Sequence, residues 1–230
     1  MHFTKYFKNK EINDSFQAFL ATEAQFTPVE EYPILPAKMI ATNPPHKIMP
    51  FCKAINSGRD LSDTFICTYE DDSSFKRIQQ KPKRYLSFFK RTAGLIGFDY
   101  SVLSNMPLVK QKSQMNDNLS LTYYYGSNNI PIIPNVRFGV DELAEDFLLA
   151  IPKHSLIAIG VHGFYKHKFE KYEWYCFLEH ILPLLQPTGV VVYGNLNDKI
   201  FDPFKKCYHF HYYTPWIYTN YHREAKKHGN

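Results

Sequence analysis

Residues 154–195 read HSLIAIGVHGFYKHKFEKYEWYCFLEHILPLLQPTGVVVYGN. Two apolar runs, LIAIG and VVVYG, flank a segment, KYEWYCFLEHILPLL, that reads as a helix. Neither run alternates apolar with polar residues. A continuous apolar strand is covered on both faces, and parallel strands need a crossover such as this helix between them. The same rhythm extends outward in both directions. Upstream, GLIGFDYS (94–101) is an apolar run, MPLVKQKSQMNDNLSLTYYYGSN (106–128) a helix ending near Gly126, and IPIIPNVRFG (130–139) another apolar run. DELAEDFLLAI (141–151) is an amphipathic helix whose early acids suit its positive amino end. Downstream, KCYHFHYY (206–213) is the last strand candidate. The expected fold is α/β, with a mostly parallel sheet that is either doubly wound or a partial barrel.

Before Ala93 the rhythm is lost. FTPVEEYPILPAKMIATNPPHKIMPF (26–51) is rich in proline and reads as extended chain. DTFICTYEDDSSF (63–75) gives a short apolar strand and then an acidic turn. KRIQQKPKRYLSFFKR (76–91) is basic, and its second half suits a helix with Tyr85, Phe88 and Phe89 inward. Residues 1–80 are therefore expected to form an irregular arm that wraps the sheet edge or offers a partner surface. Residues 81–230 are expected to form the α/β domain.

Composition narrows the function classes. The 230 residues are 44% hydrophobic, enough for a sizeable core, and 17% aromatic, with a net charge of +5. That charge is compatible with a polyanionic partner. Cys52, Cys67, Cys176 and Cys207 form no CxxC pair, so neither a zinc cluster nor a disulfide framework is indicated. MHFTKYFKNKEIND (1–14) is charged where a signal peptide needs an apolar segment, and no run of about 18 apolar residues could span a bilayer. The expected setting is the cytoplasm of a bacterial host cell, with no membrane partner.

In a parallel α/β fold, functional groups gather beyond the carboxyl ends of the strands. Four runs end in polar or small residues: Asp99 with Ser101, Asn135 with Arg137, His162 with Gly163, and Tyr193 with Asn195. Asp99 is a candidate general base or metal ligand, or alternatively a helix cap. Asn135 and Arg137, two apart on one strand, share a face and suit a phosphate or carboxylate. Arg137 could equally tie loops together through Asp99 or Asp141. His162 lies between Gly160 and Gly163, ahead of Lys166, His167 and Lys168, a composition that suits an anion-binding loop. Tyr193 could stack on a base or be a core tyrosine with its hydroxyl at the rim.

His209 and His211 flank Phe210, and two histidines at period two can chelate a divalent metal. With Tyr218 or Tyr221 as nucleophile they would make a metal-dependent endonuclease. The short tail after Asn220 and the parallel pattern instead favour an aromatic edge strand.

The words Pro82 and Tyr85, Asp99 and Ser101, Met106 and Pro107, Pro134, Asn135, Arg137 and Gly139, and Tyr193 and Gly194 resemble those of the DUF4417 family, found mainly in phages and other bacterial mobile elements. The resemblance covers roughly Lys81 to Asn195. Phe138 stands where the family suggests tryptophan, and Val161 and His162 where it suggests small or hydroxyl residues. The family implies a mobile-element context and no particular activity. The expected function is binding of a nucleic acid or nucleotide at the strand-end rim, with catalysis open. The alternatives are a non-enzymatic protein acting on a host protein or signalling nucleotide, and the metal-dependent endonuclease.

Overall fold

Each short aliphatic run becomes a strand, and every strand lies parallel to the one before it. The computed structural model describes residues 14, 16–139, 141–161, 168–194 and 199–216. The strands are β1 (Lys47–Pro50), β2 (Thr64–Cys67), β3 (Gly94–Ile96), β4 (Ile132–Ile133), β5 (Leu156–Gly160), β6 (Gly189–Tyr193) and β7 (Phe210–Tyr213). The helices between them are α1 (Phe51–Ala54), α2 (Asp72–Gln80), α3 (Pro82–Phe89), α4 (Leu108–Ser127), α5 (Ala144–Leu149) and α6 (Lys168–Leu185). Strands β1 to β4 form one parallel ladder and β5 to β7 another. Two backbone hydrogen bonds stitch the ladders together: Val136 N–H to the Ala158 carbonyl (2.9 Å) and Ala158 N–H to the Pro134 carbonyl (2.7 Å). Spatial order therefore follows chain order from β1 to β7.

The two faces of the strands separate a barrel from a doubly wound sheet. Ile48, Phe65, Cys67, Ile96, Ile133, Ala158, Val191 and Tyr193 pack on one another, and no helical residue joins that cluster. Their alternating neighbours Met49, Ile66, Leu95 and Ile132, and Ile157, Ile159, Val190 and Val192, pack outward with helical residues. A doubly wound sheet carries helices on both faces. A face that meets only itself is the filled interior of a barrel. At the seam between the last and first strands, the Tyr213 hydroxyl donates to the Pro45 carbonyl at 2.5 Å.

The boundary expected near residue 80 is drawn differently by the structure. β1, α1, β2 and α2 all precede residue 81 and supply the first two barrel strands. β1 is hard to see because it is only KIMP, closed by proline inside a proline-rich stretch. The chain ahead of it is hydrogen-bonded to the α5 region. Buried Asp146 accepts hydrogen bonds from the Thr27 hydroxyl (2.6 Å) and from the Val29 (3.2 Å) and Glu30 (2.8 Å) backbone N–H groups. Leu35 N–H donates to the Ala150 carbonyl at 2.9 Å. Tyr32, 1% exposed, packs edge-on against Phe147.

Candidate ligand site at the carboxyl ends of the strands

Parallel strands in chain order bring the ends of β2, β3, β4, β5 and β6 to one rim. Asn135 and Arg137 leave β4 two residues apart, and both reach Asp99 beyond β3. Asn135 Nδ2 donates to Asp99 Oδ1 at 2.8 Å, and Arg137 Nη1 donates to Asp99 Oδ2 at 2.9 Å. Asp99 N–H donates to Thr68 Oγ1 at 3.0 Å, which ties β3 to the end of β2. Asn135 Oδ1 in turn accepts the Tyr69 hydroxyl at 2.9 Å. Each oxygen of the carboxylate thus holds one donor, and Asp99 orients an amide and a guanidinium together. Burial pushes the Asp99 carboxyl above its ordinary range, against the opposing pull of Arg137 and Asn135.

Tyr69 is the centre of the barrel mouth. Its ring stacks on that of Tyr193, with centroids 5.2 Å apart and planes 21° from parallel. At the end of β5 only glycine fits, because a Cβ on Gly160 would lie 2.5 Å from the Tyr69 ring. Tyr193 is 2% exposed, and its hydroxyl accepts Trp216 N–H at 3.0 Å. Tyr193 is therefore a core tyrosine whose hydroxyl serves the chain after β7.

Ser101 sits apart from the Asp99 network. Its backbone N–H (3.1 Å) and hydroxyl (3.0 Å) both donate to Asp72 Oδ1 in the first turn of α2. Glu70 Oε2 accepts Cys52 N–H at 3.0 Å. Burial and that carboxylate push the Cys52 thiol up to about 11. His162, Gly163 and Asn195 lie outside the described residues, as do Lys166, His167, Tyr218 and Tyr221. Sequence reasoning passed over Thr68, Tyr69, Glu70 and Asp72. The signal was available, because the strand-end argument that selects Asp99 after GLIGF selects Thr68 to Glu70 after DTFIC. The acidic run EDD that follows reads as a turn.

The histidine pair lies at the other end of the barrel. His211 is paired in register with Val191, and its Nε2 would lie 3.1 Å from a Cβ on Gly189 at the start of β6. His209 precedes β7 and is exposed. Among the described residues no three His, Cys, Asp or Glu side chains are grouped to hold a metal. A groove of about 970 Å³ also opens at this amino end, lined by Gln25, Lys38, Ile40, Phe65, Ala93 and Tyr123.

The buried phenols and thiols give the protein a defined alkaline limit. Burial raises the ionisation of Tyr69, Tyr125 and Tyr193 from an ordinary 10.0, and that of Cys67 from 9.0. A group raised by folding contributes stability that is fully present below its unfolded value and is lost as pH climbs toward its folded value. Each fully buried group should remove about 1.4 kcal/mol per pH unit once its unfolded value is passed. Urea denaturation across a pH series should show stability falling from about pH 9 and steepening past about pH 10. Constant stability through that window would contradict these burial assignments.

Fold and rim together define a parallel α/β fold, a partial barrel with a hydrogen-bonded polar rim over a tyrosine-filled mouth. The chain belongs to the DUF4417 family, described as a domain of unknown function, whose model matches residues 27–211. It is also similar to the Gene 1 protein of Mycobacterium phage L5, with 25% identity over 127 residues, 55% of this chain and 56% of that protein. The chain thus spans about half the length of the curated relative it matches. No solved structure matches. Among the described residues no helix is long and apolar enough to cross a membrane.

Proposed function

We propose that the rim binds a phosphate-bearing ligand, a nucleotide or nucleic acid, with Arg137 as the anion contact. The observation that carries this reading is the anchoring of Arg137. Asp99 holds one guanidinium nitrogen at 2.9 Å, while the arginine side chain keeps 20% of its surface exposed at the carboxyl end of β4. A guanidinium oriented by a buried carboxylate loses less freedom on meeting a phosphate, and its planar fork matches phosphate geometry. In this role Asp99 and Asn135 are positioning residues.

Arg137→Lys tests the reading, because it keeps a charge beside Asp99 and removes the fork. Calorimetric titration with ATP and with a short single-stranded DNA should show affinity at least about tenfold weaker in the variant, with an unchanged circular dichroism spectrum. Equal affinity in the folded variant would sink the proposal.

A further inference from the structure

The net positive charge of this chain comes from one segment. Residues 73–98 hold seven Lys or Arg and no Asp or Glu. The remainder holds 20 basic against 22 acidic residues, so the net charge of +5 arises in this segment alone. The fold places it on the outside of the barrel, over β2 and β3. α2 buries Phe75 and Ile78, and α3 buries Tyr85, Phe88 and Phe89. The basic residues take the opposite faces and are all exposed: Lys76 and Arg77 on α2, Lys81 at its end, and Lys83 and Arg84 on α3. Lys90 and Arg91 follow α3 and are exposed as well.

Spacing groups these charges. Arg77 and Lys81 are four apart. Lys83 and Lys90, and Arg84 and Arg91, are each seven apart in the sequence. None of the seven makes an ion pair with a carboxylate among the described residues. Two nearby acids are engaged elsewhere: Asp72 holds Ser101, and Asp117 accepts Gln79 Nε2 at 2.7 Å. Two of the cations rest on aromatic rings, Arg77 at 5.1 Å from the Phe51 centroid and Lys83 at 4.5 Å from that of Phe19. Such contacts hold the long side chains near the surface without neutralising them.

Like charges gathered on one surface repel one another. A solvated surface in a chain otherwise near neutrality has no need of that arrangement. A polyanion relieves it. We infer that the outer face of α2 and α3 is a second binding surface, which takes the sugar–phosphate backbone of nucleic acid without reading its sequence. It goes beyond the rim proposal, since a backbone laid along these helices touches none of Asp99, Asn135 or Arg137.

The test is fluorescence anisotropy with a labelled mixed-sequence DNA duplex and a labelled oligo-dT strand, over a salt series from about 50 to 200 mM. The variant is Lys76→Gln/Lys83→Gln/Arg84→Gln, three exposed sites whose exchange leaves the buried helix faces intact. Wild-type affinity should fall steeply with salt. The triple variant should bind about tenfold or more weakly and lose about one unit of log–log salt slope per removed contact. Its titration with ATP should match wild type, so failure here is distinguishable from failure of the rim reading, which Arg137→Lys reports. Unchanged affinity and slope in the triple variant would overturn the inference. So would tighter binding of polyglutamate than of either DNA, which would mark the face as a site for acidic protein.

Discussion

Tyr69→Ala is expected to lower the stability of the fold by about 4 kcal/mol, the cost of truncating a large buried aromatic. Tyr69 is 8% exposed, fills the barrel mouth against Tyr193, and gives its hydroxyl to Asn135 at 2.9 Å. The alanine leaves a cavity beside Gly160 and an unpaired amide oxygen on Asn135. Tyr69→Phe separates these two effects. It keeps the ring and should cost only about 1–2 kcal/mol, the penalty of one unmade buried hydrogen bond. Urea denaturation of both variants checks the pair. Near-equal losses would mean that the hydroxyl, rather than the ring, holds the mouth.

Asp99→Ala is expected to cost about 3 kcal/mol, because it removes the carboxylate that holds both the Asn135 amide and the Arg137 guanidinium. The Asp99 and Arg137 side chains are 9% and 20% exposed, so neither charge is well solvated. The substitution also frees Asn135 Nδ2 from its 2.8 Å bond. In the double variant Asp99→Ala/Arg137→Met no charge is left behind, and much of the loss should be recovered. Double-mutant thermodynamics reads this directly as a coupling of about 2 kcal/mol. Additive losses would show that the two side chains do not depend on one another.

Much of this architecture is legible in the residues, and the misses have physical causes. β3, β4, β5 and β6 announce themselves as continuous apolar runs, since each is buried on both faces. That same property leaves the choice between barrel and doubly wound sheet open. What decides it is that Phe65, Ile96, Ala158 and Val191 meet each other and no helix. This follows from long-range register, which no local pattern carries. β1 is invisible for another reason: only Ile48 and Met49 lie between Lys47 and a proline. At the rim, Asn135 and Arg137, two apart just beyond β4, both reach Asp99. The partner of Ser101 is Asp72, 29 residues earlier on a different element, and nothing in the spacing points to it. Tyr69 was readable as a strand-end residue, but its place at the centre of the mouth depends on the bare surface of Gly160 two barrel strands beyond β3.

We propose that ligand binds at the carboxyl ends of the strands. Amide chemical-shift mapping, with ATP titrated into isotopically labelled protein, tests it most directly. Shifts should concentrate at Tyr69–Glu70, Asp99–Ser101 and Asn135–Arg137 and be lost in Arg137→Lys. Shifts concentrated instead around Lys38, Ile40 and Tyr123, in the groove at the amino end, would contradict it.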